Sequence, residues 1–393
     1  MALQNDIGTQ NRNSVLTQIM QQPAISRSAI GMRLNLNGAS VSRITRDLID
    51  AGLVRETGVS DPEGRPGRRF IGLSPHGPGG YIIGIGLNAF RQSVTLADLE
   101  NTKIAEWVSE ATPKGDGAAF LRICIEKAAE MVAAHVTDPT RLFGIGIAVA
   151  ADLDKDAGII LRAPTFGWTD PINVQQIVDE TLKIPLALEM PSLAINMAEA
   201  DFGVGKGIAN LATLHCSLGF GIGVRKGEVS GEQVNFGRVL NSALVPDGSG
   251  RKLDAICGGV SILKQVMTAE AVAQKSDSEL GAILVDLIQK SRDRPEIAAI
   301  FEKKARLTAQ YMSLTLDIIR PELLLLGGPL AVSDDYFAGF TSEFQTIFGT
   351  NTPVPTVSTT PLTPTGASRF LALRAHVLMG NLDLAALKRS SAA

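Results

Sequence analysis

Serine and arginine side chains recur at the outward positions of one predicted helix near the N-terminus. These residues are Ser40, Ser42, Arg43 and Arg46, with Ala39 at the start of the helix. Arginine can donate two parallel hydrogen bonds to a guanine edge, and serine and arginine both bind phosphate oxygens. A surface of this composition is typical of a helix that enters the major groove, so the sequence predicts DNA recognition here.

A second basic cluster follows in a turn rich in glycine, proline and arginine, residues 61–69. Its arginines are Arg65, Arg68 and Arg69. Such a cluster can reach a phosphate or a minor groove. Arg27, which precedes the serine-rich helix, completes the candidate DNA contacts.

Helical periodicity and breakers outline the elements that must position these side chains. Apolar residues predict a first helix over 11–21, which Pro23 ends, and Ser26 is placed to cap a second. A third helix over 39–51 turns Val41, Ile44, Leu48 and Ile49 inward, and Gly52 is placed to end it in the left-handed conformation.

Two short strands, 53–56 and 70–73, flank the basic turn and complete the pattern of a winged helix-turn-helix. A solvated three-helix domain for protein interactions is the alternative. The arginines and serines on one helix, together with the basic turn, favour DNA binding.

Charge is distributed unevenly along the 393 residues. Residues 1–80 contain nine Arg, no Lys and six acidic residues, a net charge of +3, whereas the remainder carries 28 basic and 34 acidic residues, a net charge of −6. A basic head on an acidic body fits DNA binding by the head alone. The length predicts two or three domains.

Three cysteines without a CxxC pair predict neither a disulfide framework nor a zinc knuckle, and they fit a reducing compartment. The sequence has no basic-plus-apolar leader and no apolar run of the ~18 residues that span a bilayer. A cytoplasmic protein is therefore expected.

Beyond residue 80 the sequence predicts an α/β body with an internal duplication. Strands over 82–87, 93–99 and 104–110 precede a helix over 117–136 and a strand over 142–150. Strands around a glycine-rich turn, several helices, a buried strand over 321–328 and a closing helix over 366–379 follow later. Two such units suggest two α/β lobes with a cleft between them.

The order of these segments resembles the ROK family, which is named for repressors, open reading frames and sugar kinases. The matching segments of the head are Asn11-Arg12, Val15-Leu16, Ile25-Ser26-Arg27, Val41-Ser42-Arg43, residues 48–54 and residues 64–68. Those of the body are residues 144–149, Ala163-Pro164, Gly167-Trp168, residues 218–223 and residues 326–330.

The resemblance implies an actin-like, ribonuclease-H-like two-lobed body behind the winged helix-turn-helix. The expected division is a DNA-binding domain over 1–78, a first lobe over 79–190 that a C-terminal helix near 364–380 completes, and a second lobe over 191–363. The second lobe is expected to serve effector binding and dimerisation.

The chain departs from the kinases of this family where phosphoryl transfer needs particular residues. Their Asp-x-Gly-Gly-Thr phosphate turn reads Leu87-Asn88-Ala89-Phe90-Arg91 here, and Phe90 would obstruct an anion. Pro191 stands where these kinases have the aspartate that acts as general base, and proline cannot accept a proton. Met190 replaces a sugar-binding asparagine. We therefore expect no kinase activity, and no nucleotide at the remaining glycine-rich turn.

The resemblance also places the family's zinc site on residues 237–241 and 246–252 of this chain. In the family the first segment carries a zinc-binding histidine and the second is a cysteine-rich loop, whereas here neither segment contains a histidine or a cysteine. We expect no metal and no cofactor.

Several sugar contacts of the family are changed together, and the residues carried over as a tentative effector site are Thr165, Trp168, Glu189, Arg238, Asn241 and Asp254. Arg238 stands in place of a carboxylate and favours an anionic ligand, such as a sugar acid or a phosphorylated sugar. Trp168 is placed to stack on a sugar face or to fill the core. The other alternative is a body kept only as a dimerisation scaffold.

Together these features predict a DNA-binding transcriptional regulator, a repressor of carbohydrate-related genes. Its expected partners are an operator in double-stranded DNA, a carbohydrate-derived effector in the inter-lobe cleft and a second copy of the chain, as a dimer or tetramer. An ATP-dependent sugar kinase and a ligand-independent DNA-binding dimer are the competing hypotheses.

Overall fold

Apolar side chains at helical spacing build the N-terminal head. The computed structural model describes residues 2–60, 70–88, 91–109, 113–227, 233–240, 243–350 and 354–391. Within the head the elements are α1 (Ala2–Gln21), β1 (Ile25–Ser26), α2 (Arg27–Leu34), α3 (Gly38–Asp50), β2 (Val54–Ser60) and β3 (Phe70–Pro75). The strands form one sheet in the order β1-β3-β2, which confirms the winged helix-turn-helix.

Local capping fixes where the second and third helices begin and end. The Ser26 hydroxyl accepts a hydrogen bond from the Ala29 amide at 3.1 Å, and the Asn37 side chain accepts one from Ser40 at 2.8 Å. Gly52 has a φ of 71°, and the Leu53 amide returns to the Leu48 carbonyl at 3.0 Å. The caps predicted at Ser26 and Gly52 are confirmed.

The first helix is longer than its apolar pattern. It begins at Ala2 instead of residue 11, because no proline interrupts the polar residues before the buried stripe that Val15, Leu16 and Ile19 form. The basic turn predicted over 61–69 lies outside the described residues.

The first lobe is a five-stranded sheet with helices on its flank. Its elements are β4 (Tyr81–Leu87), β5 (Gln92–Asp98), β6 (Lys103–Ser109), α4 (Gly117–His135), β7 (Leu142–Val149), β8 (Asp152–Asp154), β9 (Ile159–Arg162), β10 (Ile172–Asn173), α5 (Val174–Thr181) and β11 (Leu186–Glu189). The main sheet has the order β11-β7-β4-β5-β6, and β8 to β10 form a small separate sheet.

The second lobe repeats this sheet and adds a helical layer. Its elements are α6 (Pro191–Phe202), β12 (Asn210–Cys216), β13 (Phe220–Gly227), β14 (Gln233–Val239), α7 (Leu253–Cys257), α8 (Gly259–Val266), α9 (Ala269–Ala273), α10 (Asp277–Ser291), α11 (Pro295–Ile319), β15 (Leu323–Gly327), α12 (Asp334–Phe348) and β16 (Thr356–Thr359). The sheet order is β14-β13-β12-β15-β16.

The two main sheets share one topology. In each, three consecutive strands form an antiparallel meander, and two later strands add in parallel beside the first strand of the meander. The internal duplication predicted from the strand pattern is therefore confirmed. The domain division at residues 78, 190 and 363 stays a prediction. The strand order shows which strands form each sheet, but it does not show where one independently folding unit ends and the next begins.

Two helices meet between the sheets, α6 against the second and α13 (Pro364–Ala372) against the first. Glycines let them approach closely. A Cβ at Gly146 would collide with the Ser368 carbonyl oxygen on α13, and one at Gly223 would collide with the Ser192 carbonyl oxygen on α6.

The C-terminus differs from the single closing helix that the pattern predicts over 366–379. After α13 the chain makes a π-helical turn, Leu373–Leu378, and then adds α14 (Leu384–Ser391). Among the described residues no helix is both long and apolar enough to cross a bilayer.

The head and the first lobe share one hydrophobic core. Ile82 of β4, Phe143 of β7 and Leu387 of α14 cluster with buried residues of all three head helices, such as Leu48. At the edge of this core lies Arg141, whose side chain is 10% exposed. It donates to the carbonyls of Ala51 at 2.6 Å, Gly79 at 3.0 Å and Leu387 at 2.9 Å.

Replacing Arg141 by Met is expected to lower stability by about 2–5 kcal/mol, because three carbonyls would lose a charged donor. The measurement is the urea unfolding midpoint of the full chain. The Arg122→Met variant on α4, where the side chain is 50% exposed, is the matched control. Equal midpoints for both variants would show that Arg141 does not hold the head to the lobe.

Candidate nucleic-acid interface and inter-lobe cleft

The outward face of α3 presents the residues that the sequence predicted. Ala39, Ser42, Arg43 and Arg46 are exposed, and Ser40 is half-buried. Arg43 lies 3.8 Å from Asp47 and keeps 69% of its side chain exposed. Arg46 makes no side-chain hydrogen bond or salt bridge to the described residues. Both guanidinium groups are therefore available to a ligand.

The opposite face and the C-terminal end of α3 are fixed. Val41, Ile44 and Leu48 are buried, and Lys388 of α14 binds Asp47 at 2.7 Å and Asp50 at 3.6 Å. These contacts leave the N-terminal half of α3 open to solvent. That half is where helix-turn-helix proteins carry their base contacts.

Arg27, which the sequence predicted as a DNA contact, makes hydrogen bonds within the head. It donates to Thr45 at 3.1 Å and to Glu56 at 2.7 Å, so it ties α2 to α3 and β2. Its side chain is 31% exposed. Two of the three guanidinium nitrogens thus stabilise the head, and the role of Arg27 as a DNA contact stays a prediction. Arg65, Arg68 and Arg69 lie outside the described residues.

The inter-lobe cleft contains a small cavity at the position of the kinase base. Pro191 is the first residue of α6, and it lines a cavity of about 70 Å³ together with Thr165, Ser192 and Gly221. The Ser192 hydroxyl donates to the Ile222 carbonyl at 3.0 Å. A cavity of this size is far below the ~300–1,000 Å³ of ordinary ligand sites.

Among the predicted effector residues that the structure describes, Thr165 lines this cavity and the others do not. Trp168 lies in the core of the first lobe at 3% exposure, where its indole N–H donates to the Pro113 carbonyl at 2.6 Å. The structure therefore corrects the sugar-stacking role and confirms the core alternative. Glu189 is 5% exposed and bonds Lys155 at 2.6 Å, so its oxygens are committed to the protein as well.

Arg238 and Asp254 do not join Thr165 in the wall of this cavity. Arg238 is exposed on β14, and Asp254 is half-buried in the first turn of α7, where burial raises the pKa of its carboxyl. Asn241 lies outside the described residues. The residues carried over from the family therefore do not converge into one site within the described part of the chain.

A larger cavity of about 630 Å³ opens beside the small one, and the sequence pattern did not indicate it. Asn88, His215 and Pro364 line both cavities. The charged residues of the larger one are Arg91, Lys103, Glu106 and Arg369. They lie on three different elements or turns, so no local motif announces them.

Hydrogen bonds and burial set the charge of this cavity. Glu106 accepts from Lys103 at 2.5 Å and from Arg91 at 3.4 Å, and these partners hold its pKa below the usual value. Burial lowers the pKa of His215 to about 4, so the imidazole is neutral at pH 7. At neutral pH the lining carries three cationic groups and one carboxylate.

A model of the ROK family matches residues 82–367, and one of the MarR family matches residues 9–57. The xylose repressor of Caldicellulosiruptor bescii is 29% identical over 214 residues, which are 54% of this chain and 53% of that protein. The chain thus spans about half the length of this relative. The xylose repressor of Lactiplantibacillus pentosus is 25% identical over 381 residues, 95% of each chain.

The fold is also shared with a solved structure of a ROK family transcriptional regulator, described as a homologue of the E. coli MLC protein. The TM-score is 0.70 at 20% identity, with 95% of this chain and 98% of that chain covered. The likeness extends over the head as well as both lobes.

Burial of a neutral His215 predicts that the chain loses stability as the pH falls from about 6.5 to 4. Over that window the unfolded histidine binds a proton that the folded one does not, so protonation favours unfolding. His215→Gln should remove about 1–3 kcal/mol of this loss relative to the wild type. The readout is the urea midpoint at several pH values, with the exposed His135→Gln as control. Parallel losses in all three proteins would contradict the assignment.

Proposed function

Since the chain belongs to the ROK family, we propose that it is a sequence-specific DNA-binding transcriptional regulator that represses carbohydrate-related genes. The observation that carries this proposal is the outward face of α3, where Arg43 and Arg46 are exposed to solvent while Lys388 holds the C-terminal end of the helix. The two xylose repressors, to which the chain is similar, give the carbohydrate class. The proposed place of action of such a regulator is the cytoplasm.

Control by an effector requires a route from the cleft to the head, and the C-terminal segment supplies one. α13 lies between the lobes, and the chain continues through the π-helical turn to α14, whose Lys388 binds Asp47 and Asp50 of α3. A ligand that changes the lobe arrangement changes the placement of α3, provided that it binds the two arrangements with different affinity.

A second copy of the chain completes the proposal. Helix-turn-helix proteins bind half-sites about 34 Å apart, and each chain has one α3. The second lobe is the proposed dimerisation surface. Light scattering on the purified chain would report the number of copies.

Loss of kinase activity is supported by the start of α6. Pro191 has no proton-accepting side chain, and the small cavity beside it leaves little room for a sugar hydroxyl. We expect no sugar-dependent ADP release above background across a broad panel of sugars. A coupled assay is the measurement, and turnover that follows the added sugar would establish the kinase alternative instead.

Arg43→Ala and Arg46→Ala are each expected to weaken specific DNA binding by about 1–3 kcal/mol, because each side chain is free to bond a base edge. The operator is first selected from random DNA, and affinity is measured by fluorescence anisotropy at ~150 mM salt with competitor DNA, where non-specific phosphate binding is weak. Arg122→Ala, on the first lobe, is the control.

Two results would contradict the proposal at different points. If the wild type selects no sequence, the chain is not a sequence-specific regulator. If it selects one but neither arginine variant loses affinity, α3 is not the reading helix. A regulator without an effector remains the second candidate. It would be indicated by a melting temperature that no sugar or sugar acid raises.

A further inference from the structure

The larger cavity is built mainly from one face of the first lobe and the start of α13. Thr95 of β5 and Glu106 of β6 form part of its floor, and residues 360–366, which lead into α13, form one wall. Gly328 and Pro329 of the second lobe close the far side. Its volume of about 630 Å³ lies within the range of small-molecule sites.

Arg369 is the residue of this cavity that its surroundings do not explain. Its side chain is half-buried, its Nε is buried, and it makes no hydrogen bond or salt bridge to any described residue. Burial lowers the pKa of its guanidinium, and Glu106 is the carboxylate that opposes this effect. Its buried Nε–H therefore lacks an acceptor within the described chain, while the rest of the half-buried guanidinium lines the cavity, where an acceptor could be supplied by a ligand.

The neighbouring cations do not serve as that partner, and Glu106 is already occupied. Lys103 bonds one oxygen of Glu106 and Arg91 bonds the other. The cavity therefore has an excess of positive charge in which Arg369 is the unpaired group. The first turn of α13 adds to this potential because its N-terminus faces the cavity.

The remaining lining is mixed, with apolar side chains as well as polar groups. Hydroxyls of Thr95, Thr360, Thr363 and Thr365 and amides of Asn88 and Asn101 line the same cavity. By contrast, the cavity of about 310 Å³ between the head and the first lobe is floored by Met20, Phe202, Phe370 and Leu373, and its Arg55 already pairs with Glu100. The unpaired cation is found in the larger inter-lobe cavity.

We propose that this cavity binds a small polar anion, whose phosphate or carboxylate group pairs with Arg369. The guanidinium supplies two donors in one plane, which matches either oxyanion. Arg91 and Lys103 lie at the same cavity and add attraction at longer range. The site adjoins the small cavity at Thr165 and Pro191, but Arg369 lines the larger cavity and not the small one, and its occupancy does not depend on whether the chain binds DNA.

Isothermal titration of the full-length protein at low ionic strength tests this site. The probes are inorganic phosphate, pyrophosphate and citrate, with glucose as the neutral comparison. At least one of the three anions should bind, and glucose should not. Binding of the phosphate compounds would identify the ligand group as a phosphate, and binding of citrate would identify it as a carboxylate. Added salt should weaken binding because the attraction is between charges.

Three variants assign the binding to Arg369. Arg369→Gln keeps the methylene that packs over Gly84 and removes the charge, so affinity should fall about tenfold or more. Arg369→Lys keeps the charge and should retain part of the affinity. Arg292→Gln, at an exposed position on the second lobe, removes the same net charge and should change nothing.

The thermal midpoint without ligand separates this role from a structural one. Loss of an unpaired, half-buried charge should leave the midpoint of Arg369→Gln equal to that of the wild type or higher. The proposal is overturned if no anion binds at millimolar concentration, if Arg369→Gln binds as the wild type does, or if Arg292→Gln loses affinity equally. Binding of glucose as tight as that of the anions would also overturn it, because the site would then not be recognising charge.

Discussion

The placement of α3 depends on one buried guanidinium. Arg141 binds carbonyls from three segments that are far apart in sequence, at the end of α3, before β4 and within α14. A buried carbonyl needs a donor, and a buried arginine needs several acceptors, so each side of this contact requires the other. Because these carbonyls belong to the head, the first lobe and the C-terminus, the three parts must take one relative position.

This constraint gives the C-terminal segment its importance. α13 lies on the first sheet and contacts α6 of the second lobe, and α14 contacts α3 through Lys388. Fewer than thirty residues, 364–391, therefore join the inter-lobe cleft to the head. The π-helical turn between the two helices is the irregular part of this connection, and such turns occur often at functional positions.

Local signals in the sequence predicted the head well and the cavities poorly. Ser26 and Gly52 cap helix ends through contacts with residues a few positions away, so the sequence alone indicates them, and both caps form as expected. Trp168 and Arg369 have no such signal, because their surroundings come from segments such as residue 113 and β4 to β6, distant along the chain. Family resemblance placed Arg238 and Asp254 by alignment alone, and the structure does not bring them into the cavity that Thr165 lines.

The glycine-rich turn over 218–223 shows why resemblance to a kinase fold does not imply kinase chemistry. Gly223 is required by packing, since a Cβ there would meet the Ser192 carbonyl oxygen at the start of α6. The turn therefore keeps its glycine whether or not a phosphate binds. The base position holds Pro191, which is buried and whose fixed φ suits the first turn of a helix. A glycine that packing requires is evidence of the fold and not of phosphoryl transfer, so Gly223 does not by itself indicate a kinase.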